Sequence, residues 1–115
     1  MGVLLQLVLE IDRYLRKFYI DSVYNKSMNK YLVEFLGTLF FLYVILATGN
    51  ALAIGAALAI AILVGGAISG GNFNPAISVM MVAAGKLPQN DLIPYVLAQI
   101  AGGLAALELY KRVKL

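Results

Sequence analysis

Three long apolar runs, separated by short polar or glycine-containing breaks, dominate the chain after its first thirty residues. The runs cover residues 31–48, 51–67 and 92–110. As α-helices they would each be roughly 25 to 29 Å long, which is enough to cross the hydrocarbon core of a bilayer. Only Gly49 and Asn50 separate the first run from the second, so a very short turn is expected there. The pattern therefore predicts three transmembrane helices.

The stretch between the second and third runs, residues 68–88, contains a half-length helix behind a glycine-rich loop. Residues 69–73 are too rich in glycine to continue a helix. Asn74 is typical of an N-cap and Pro75 of the first helical position. The apolar run 76–85 would be roughly 15 Å long, about half of a bilayer core. The pattern favours a re-entrant segment with its tip at mid-depth. An ordinary surface turn before an interfacial helix is the alternative.

The start of this half-helix is the candidate binding site of the chain. A helix that begins at mid-bilayer exposes its positive dipole end and its free N–H groups there. The side-chain amide of Asn74 can donate to a water or hydroxyl oxygen while its carbonyl oxygen caps the helix. The carbonyls of Gly70, Gly71 and Asn72 would add a row of acceptors leading towards Asn74. Such a place favours neutral molecules that carry oxygen atoms and disfavours cations.

For two polar side chains inside the predicted spans, the sequence is compatible with two different roles. Glu34 lies near the start of the first span, where a charge is expensive and often functional. Its carboxylate either accepts hydrogen bonds from the backbone of residues 70–73 and braces the loop, or extends to the headgroups. Gln99 has a similar choice between bracing a loop and bonding across helices.

Residues 1–30 form a separate predicted region that precedes a membrane domain over residues 31–115. Apolar residues recur there at every third or fourth position, which predicts an amphipathic helix of about twenty residues; they are Leu4, Leu7, Ile11, Leu15 and Phe18. This helix is either an anchor in the membrane interface or a short heptad-like contact with another helix. Residues 22–30 are polar and predict a linker, and residues 111–114 form a basic end.

Composition indicates a membrane protein and excludes several kinds of functional site. Of its 115 residues 62% are apolar and 13% charged, with a mean hydropathy of +0.86, whereas a soluble domain carries about 25% charged residues. The absence of cysteine and histidine excludes disulfides, thiolate nucleophiles, imidazole bases and the usual zinc sites. The net charge of +3 belongs to the two ends of the chain and fits a membrane surface better than nucleic acid. We expect no enzyme activity, catalytic residue, cofactor or metal, and no nucleic-acid partner.

Four short blocks of sequence occur in a fixed order: Val-Glu-Phe-Leu-Gly-Thr at 33–38, Ala-Leu-Ala-Ile-Gly at 51–55, Ser-Gly-Gly-Asn-Phe-Asn-Pro-Ala at 69–76, and Tyr-Val-Leu-Ala-Gln at 95–99. Together they resemble the first half of a major intrinsic protein, the family of aquaporins and glycerol facilitators. The resemblance covers about residues 31–110. It implies an all-α membrane protein with three transmembrane helices and one re-entrant half-helix, which is half of an aquaporin-like fold.

The resemblance also implies roles for individual residues. Asn74 is similar to the pore asparagine of the family's Asn-Pro-Ala signature, and Glu34 and Gln99 to the residues that brace the loop. Ile54 falls where family members place an aromatic residue of the filter. The candidate pore residues are therefore Ile54, Gly70, Gly71, Asn72, Phe73, Asn74, Pro75 and Ala76.

The sequence also departs from the family pattern. Family members normally have two such halves, and the signature of the second half is followed by a filter arginine; here Ile77 follows Ala76. Asn72 replaces a histidine that is common in the loop. These departures and the N-terminal helix favour an alternative function, a non-conducting membrane scaffold whose N-terminal helix docks a partner or coat. The intact signature and Glu34 favour the first function, a passive channel for water or small neutral solutes such as glycerol.

One such unit alone would leave its polar tip against lipid, where each unsatisfied group is costly. We therefore expect a counterpart, which is either an inverted second copy, with four such pairs giving eight chains, or a complementary half-channel. Six basic residues are expected on the N-terminal side of the membrane and three on the other, which favours one orientation with the N-terminus in the cytoplasm; they are Arg13, Arg16, Lys17, Lys26, Lys30 and Lys86 against Lys111, Arg112 and Lys114.

Overall fold

The computed structural model describes residues 2–24 and 26–113, and the side chains of residues 18–27 lie outside this description. The described part contains five α-helices and one short 3-10 turn, Gln89–Asp91, before the last helix. The α-helices are α1 Gly2–Tyr24, α2 Lys26–Thr48, α3 Ala51–Ser69, α4 Pro75–Ala83 and α5 Leu92–Arg112. The predicted all-α fold is confirmed: an N-terminal helix is followed along the chain by three spans and one half-helix.

The linker predicted at residues 22–30 is wrong for the described residues, because α1 continues to Tyr24 and α2 already begins at Lys26. Polar residues do not by themselves end a helix: lysine is a good helix former, and the first turn of a spanning helix lies outside the hydrocarbon. The predicted linker residue Asn25 and the basic residue Lys114 are outside the described part of the chain.

Among the described residues, three helices are long and apolar enough to cross a membrane: Met28–Thr48, Ala51–Ser69 and Gln89–Arg112. Their outward side chains are large and apolar, and the most exposed are Leu52 at 85% and Leu63 at 83%. A water-facing surface of this kind would be unfavourable, whereas lipid covers it without cost. The chain is therefore an integral membrane protein.

Small residues allow α3 and α5 to approach the central helix α2 closely. Ala57 and Ala61 of α3 and Ala106 of α5 are buried. A Cβ atom added to Gly102 would lie 2.6 Å from the carbonyl oxygen of Phe35, so only glycine permits this crossing of α2 and α5. Close packing of this kind is how membrane helices associate.

The segment between α3 and α5 is re-entrant, as the first of the two interpretations predicts. Phe73 and Asn74, at its tip, share a cavity with Thr38 of α2 and Gln99 of α5, and Thr38 lies at the middle of the span Met28–Thr48. From this tip α4 descends over nine residues, roughly 14 Å. The alternative of a surface turn is thus wrong, because the loop tip lies at mid-depth rather than among the headgroups.

A polar cluster fixes the level to which α4 returns. Lys30 Nζ and Tyr31 Oη, at the start of α2, each donate a hydrogen bond of 2.7 Å to the Asp91 carboxylate, just before α5. The Tyr31 ring also packs edge-on against Tyr95, with 5.9 Å between ring centroids. Since Asp91 follows α4, the half-helix begins at mid-depth and ends on the side of the membrane at which α2 begins.

The predicted amphipathic helix is present as α1. Its apolar side chains from Val3 to Leu15 are between 52% and 79% exposed, so they do not pack on the bundle. Four of its charged side chains pair within the helix, Arg16 with Asp12 at 3.0 Å and Arg13 with Glu10 at 3.6 Å. What covers the apolar side of α1 stays a prediction.

The candidate pore loop and its buried brace

The loop between α3 and α4, residues 70–74, is built around the side chain of Glu34, which is fully buried. One carboxylate oxygen, Oε1, accepts a hydrogen bond of 2.7 Å from the backbone N–H of Phe73. The other, Oε2, accepts one of 3.1 Å from the backbone N–H of Asn72 and one of 2.7 Å from Ser69 Oγ. The Glu34 carboxylate therefore braces the loop, which is the first of its two predicted roles, and does not extend to the headgroups.

Gln99 of α5 provides a fourth hydrogen bond to the carboxylate. Its Nε2 donates to Glu34 Oε1 at 2.8 Å and to Ser78 Oγ at 2.8 Å. Ser78, in α4, also accepts a hydrogen bond of 3.1 Å from Asn72 Nδ2. All four side chains are at most 4% exposed, and they connect α2, the loop, α4 and α5 in one network. Four donors surround the carboxylate, which is how a buried anion is stabilised without a cation.

Ser69 closes the end of α3. Its Oγ accepts a hydrogen bond of 3.1 Å from the backbone N–H of Gly71, and its carbonyl oxygen accepts one of 2.7 Å from Tyr95 Oη. Gly70 and Gly71 follow with φ angles of +90° and +67°, a left-handed conformation that glycine adopts without strain. The chain can therefore leave α3 and turn back towards mid-depth within a few residues.

Phe73 packs the loop tip against α2. It is 2% exposed and has a φ angle of +54°, which is unusual for a large side chain. Its ring lies against the backbone of Gly37, where an added Cβ atom would fall 2.1 Å from the ring. The ring can pack this closely on α2 only because Gly37 has no side chain.

Asn74, Pro75 and Ala76 form the exposed tip of the site. Asn74 is the N-cap of α4 and Pro75 its first residue, as predicted. Asn74 Oδ1 accepts a hydrogen bond of 2.8 Å from the backbone N–H of Ala76, so the side-chain N–H groups of Asn74 remain for another partner. Within the described residues no hydrogen bond reaches the carbonyls of Gly70, Gly71 or Asn72.

Apart from Gly70 and Gly71, the predicted pore residues fall into three groups in the structure. The tip residues, Asn74 to Ala76, are exposed, whereas the side chains of Asn72 and Phe73 are buried inside the unit. Asn72 and Phe73 can therefore line a pathway only with their backbone groups. Ile54 lies in the first turn of α3, fifteen residues or roughly 22 Å along the helix from Ser69. The structure does not bring Ile54 to the loop.

Sequence reasoning did not find Ser78, Ser69 or Gly37. Ser78 is the single hydroxyl of the apolar run 76–85 and lies one helical turn after Asn74, which is a usable signal. Ser69 lies two residues after the second apolar run and ends α3. Gly37 has no signal of its own, because its role depends on a ring 36 residues later in the chain.

Comparisons with known proteins agree with this geometry. Residues 21–114 match the family described as major intrinsic protein. The chain is 43% identical over 88 residues to the glycerol uptake facilitator protein-like 6 of Lactiplantibacillus plantarum, and 44% identical over 95 residues to aquaporin Z of Brucella melitensis. Each of these matches covers 69% of this chain and 41% of the relative. The aquaglyceroporin AqpS of Rhizobium meliloti is 41% identical over 56 residues, which are 49% of this chain and 24% of that protein.

The chain thus spans about two fifths of the length of the first two curated relatives, and no solved structure matches it. The matched residues contain the three spans, the buried Glu34 network and the Asn-Pro-Ala tip. A family match over most of the chain and a half-helix that begins with this signature at mid-depth lead to one conclusion: the chain belongs to the major intrinsic protein family.

Proposed function

We propose that the chain is a subunit of a passive channel for water or small neutral solutes such as glycerol. One observation carries this proposal: at the mid-depth end of α4 the N–H groups of the Asn74 amide have no partner among the described residues, while its oxygen caps the helix. An amide in this position can donate to a passing water or hydroxyl oxygen. The family supports the same function, since curated relatives are named for glycerol uptake and as aquaporins.

The electrostatics of the tip suit a neutral solute. The positive end of the α4 dipole lies at Asn74, and the nearest acidic group, Glu34, is enclosed by four hydrogen-bond donors. The carbonyls of Gly70 and Gly71 provide acceptors beside these donors. A molecule with both donors and acceptors, such as water or a polyol, can exchange its hydrogen bonds along this row, whereas a cation meets a positive helix end.

The proposed pore needs a counterpart. In the described unit Asn74, Pro75 and Ala76 are exposed at mid-depth, where lipid cannot satisfy the Asn74 amide. A second, inverted unit related by a two-fold axis in the membrane plane covers the tip. We propose an inverted second copy, with four pairs giving eight chains and the N-terminus of one copy in the cytoplasm. A complementary half-channel is the competing counterpart.

Osmotic permeability tests this proposal directly. Proteoliposomes that contain the wild-type chain are expected to shrink faster than protein-free vesicles after a hyperosmotic step, measured by light scattering. Ala76→Trp is expected to reduce this rate to that of protein-free vesicles, because an exposed small residue at the tip is replaced by a large one. Leu63→Trp, at a lipid-facing position that is 83% exposed, is the matched control and retains the wild-type rate. Equal shrinkage with and without the wild-type chain contradicts the proposal.

The exposed apolar side of α1 favours a second candidate, a non-conducting scaffold whose N-terminal helix docks a partner or coat. Leu7 and Ile11 are 55% and 58% exposed, so lysine at both positions leaves the bundle intact. If the chain is a scaffold, Leu7→Lys with Ile11→Lys abolishes higher assembly in detergent, measured by light scattering coupled to gel filtration. Gln6→Lys, on the opposite side of α1, is the control. Full assembly of the double variant, together with osmotic permeability of the wild type, argues against the scaffold.

A further inference from the structure

The direction of each carbonyl in the pore loop is set by the N–H group of the residue that follows it. A trans peptide unit is planar, so its C=O and its N–H point in opposite directions. The backbone N–H groups of Asn72 and Phe73 point inward to the Glu34 carboxylate, at 3.1 and 2.7 Å. The carbonyls of Gly71 and Asn72 are therefore turned away from the brace.

The carbonyl of Gly70 is oriented by a different group. The N–H of Gly71, which belongs to the same peptide unit, donates to Ser69 Oγ at 3.1 Å instead of to Glu34. Gly70 is exposed, and no described donor reaches its carbonyl. Since Gly70 comes first in the predicted row of acceptors, the Ser69 hydroxyl decides the direction of the first acceptor.

Ser69 serves the loop because its hydroxyl is turned away from its own helix. A serine in a membrane helix usually donates to the carbonyl of the residue four positions earlier. Here that residue is Gly65, whose oxygen lies 3.5 Å from Ser69 Oγ, farther than the roughly 2.5 to 3.0 Å of a good O–H···O hydrogen bond. The hydroxyl donates instead to Glu34 Oε2 at 2.7 Å, which leaves its lone pairs to the N–H of Gly71.

Tyr95 of α5 holds the end of α3 in the place where this arrangement is possible. Its Oη donates to the carbonyl oxygen of Ser69 at 2.7 Å, and the residue is 1% exposed. Its ring packs edge-on against Tyr31, with 5.9 Å between ring centroids, and Tyr31 Oη is bound to the Asp91 carboxylate at 2.7 Å. The ring is therefore fixed by packing, and its hydroxyl reaches the last residue of the helix before the loop.

We propose that Tyr95 is a positioning residue of the pore loop. By holding the Ser69 carbonyl, it keeps the Ser69 hydroxyl on the N–H of Gly71 and so turns the Gly70 carbonyl outward. The inference rests on the proposed channel function and deepens it, since it names the side chain that orients the first acceptor of the row. Glu34 orients the next two carbonyls without the help of Tyr95.

Amide hydrogen exchange, measured by NMR on the full chain in detergent micelles, tests this positioning. Tyr95→Phe removes the hydroxyl and keeps the ring. The N–H of Gly71 is expected to exchange about fivefold faster, the factor that corresponds to one hydrogen bond between neutral groups, while the N–H groups of Asn72 and Phe73 keep their wild-type rates. Equal acceleration of all three would make Tyr95 a general stabiliser of the loop. That result, or an unchanged rate at Gly71, overturns the proposal.

Tyr43→Phe is the matched control for this experiment. Tyr43 Oη also donates to a backbone carbonyl, that of Val113, at 2.8 Å. Its ring also packs edge-on against a second tyrosine, Tyr110, with 6.4 Å between ring centroids. This pair lies at the opposite end of α2 from Tyr31, so the variant removes the same kind of hydrogen bond away from the loop. The N–H of Gly71 is expected to keep its wild-type exchange rate.

Osmotic permeability of Tyr95→Phe, Ser69→Ala and the double variant tests whether Tyr95 acts through Ser69. Tyr95→Phe is expected to lower the water permeability of proteoliposomes by about fivefold. Ser69→Ala lowers it at least as much, because it also removes a donor to Glu34. The double variant is expected to match Ser69→Ala alone, since no hydroxyl then remains to be positioned. If the effects of the two single variants multiply, Tyr95 acts independently of Ser69 and the proposal fails.

The two measurements together separate this inference from the proposed function. Faster exchange confined to Gly71, in a chain whose vesicles are no more permeable than protein-free ones, supports the positioning role and rejects the channel. Permeable wild-type vesicles without a change in exchange at Gly71 reject the positioning role and leave the channel.

Discussion

Replacement of Glu34 by glutamine is expected to release the pore loop and to lower the free energy of unfolding by about 4 kcal/mol, since breaking a buried charged network costs roughly 3 to 5 kcal/mol. The carboxylate accepts hydrogen bonds from Ser69, Asn72, Phe73 and Gln99. Glutamine retains one acceptor oxygen and turns an NH₂ group towards donors, so two backbone N–H groups lose a charged partner. Titration with SDS in mixed micelles, followed by circular dichroism, measures the loss.

Glu108→Gln is the matched control for this experiment. Glu108 is exposed near the end of α5 and its only described ion pair, with Lys111 at 3.5 Å, is exposed as well. Such pairs contribute about 0 to 1 kcal/mol, so the control unfolds close to the wild-type midpoint. If the two variants unfold alike, the carboxylate does not stabilise the loop.

Gly37→Ala is expected to lower the free energy of unfolding by about 3 kcal/mol, at the upper end of the cost of overpacking. The added methyl group would lie 2.1 Å from the ring of Phe73. The ring cannot easily turn aside, because Phe73 is buried and its backbone N–H is fixed to Glu34 at 2.7 Å. Either the loop tip moves away from α2 or the helix shifts, and both disrupt the site.

Two readouts distinguish loop displacement from general destabilisation. The first readout uses a chain that also carries Ile77→Cys: displacement of the loop tip exposes this half-buried position, so the cysteine reacts faster with a thiol reagent. The second readout is water permeability, which falls when the loop tip is displaced. Gly55→Ala is the control, since a Cβ atom at Gly55 meets nothing within 4 Å and alanine favours helix. Wild-type labelling and stability for Gly37→Ala would show that Phe73 does not need this close approach.

The architecture was predictable because its signals are local. Each span is a continuous apolar run whose length matches the bilayer, and Asn74 followed by Pro75 marks the beginning of α4 through the chemistry of two adjacent residues. The end of α1 and the start of α2 were predicted wrongly for the opposite reason. Polar residues around Lys26 are compatible with a helix in water as well as with a linker, and the sequence contains no residue that decides between them.

The site was predictable only in part because its contacts connect distant residues. Depth in the span could not decide between the two roles of Glu34, since its donors lie 35 to 65 residues away. The resemblance to a family supplied that assignment. Ser78 was missed because a hydroxyl in a transmembrane helix usually bonds to its own backbone, and its place one turn after Asn74 was its only local signal.

The Glu34 network has a consequence for how the chain is made. Its last donor, Gln99, follows the carboxylate by 65 residues, which a ribosome adds in roughly 3 to 13 s at about 5 to 20 residues per second. During that delay α2 carries an acidic side chain without its complete set of partners, so we expect the nascent helix to remain beside the aqueous path of the insertion machinery. Its release into lipid then waits for the third span, and biogenesis proceeds as one late step rather than helix by helix.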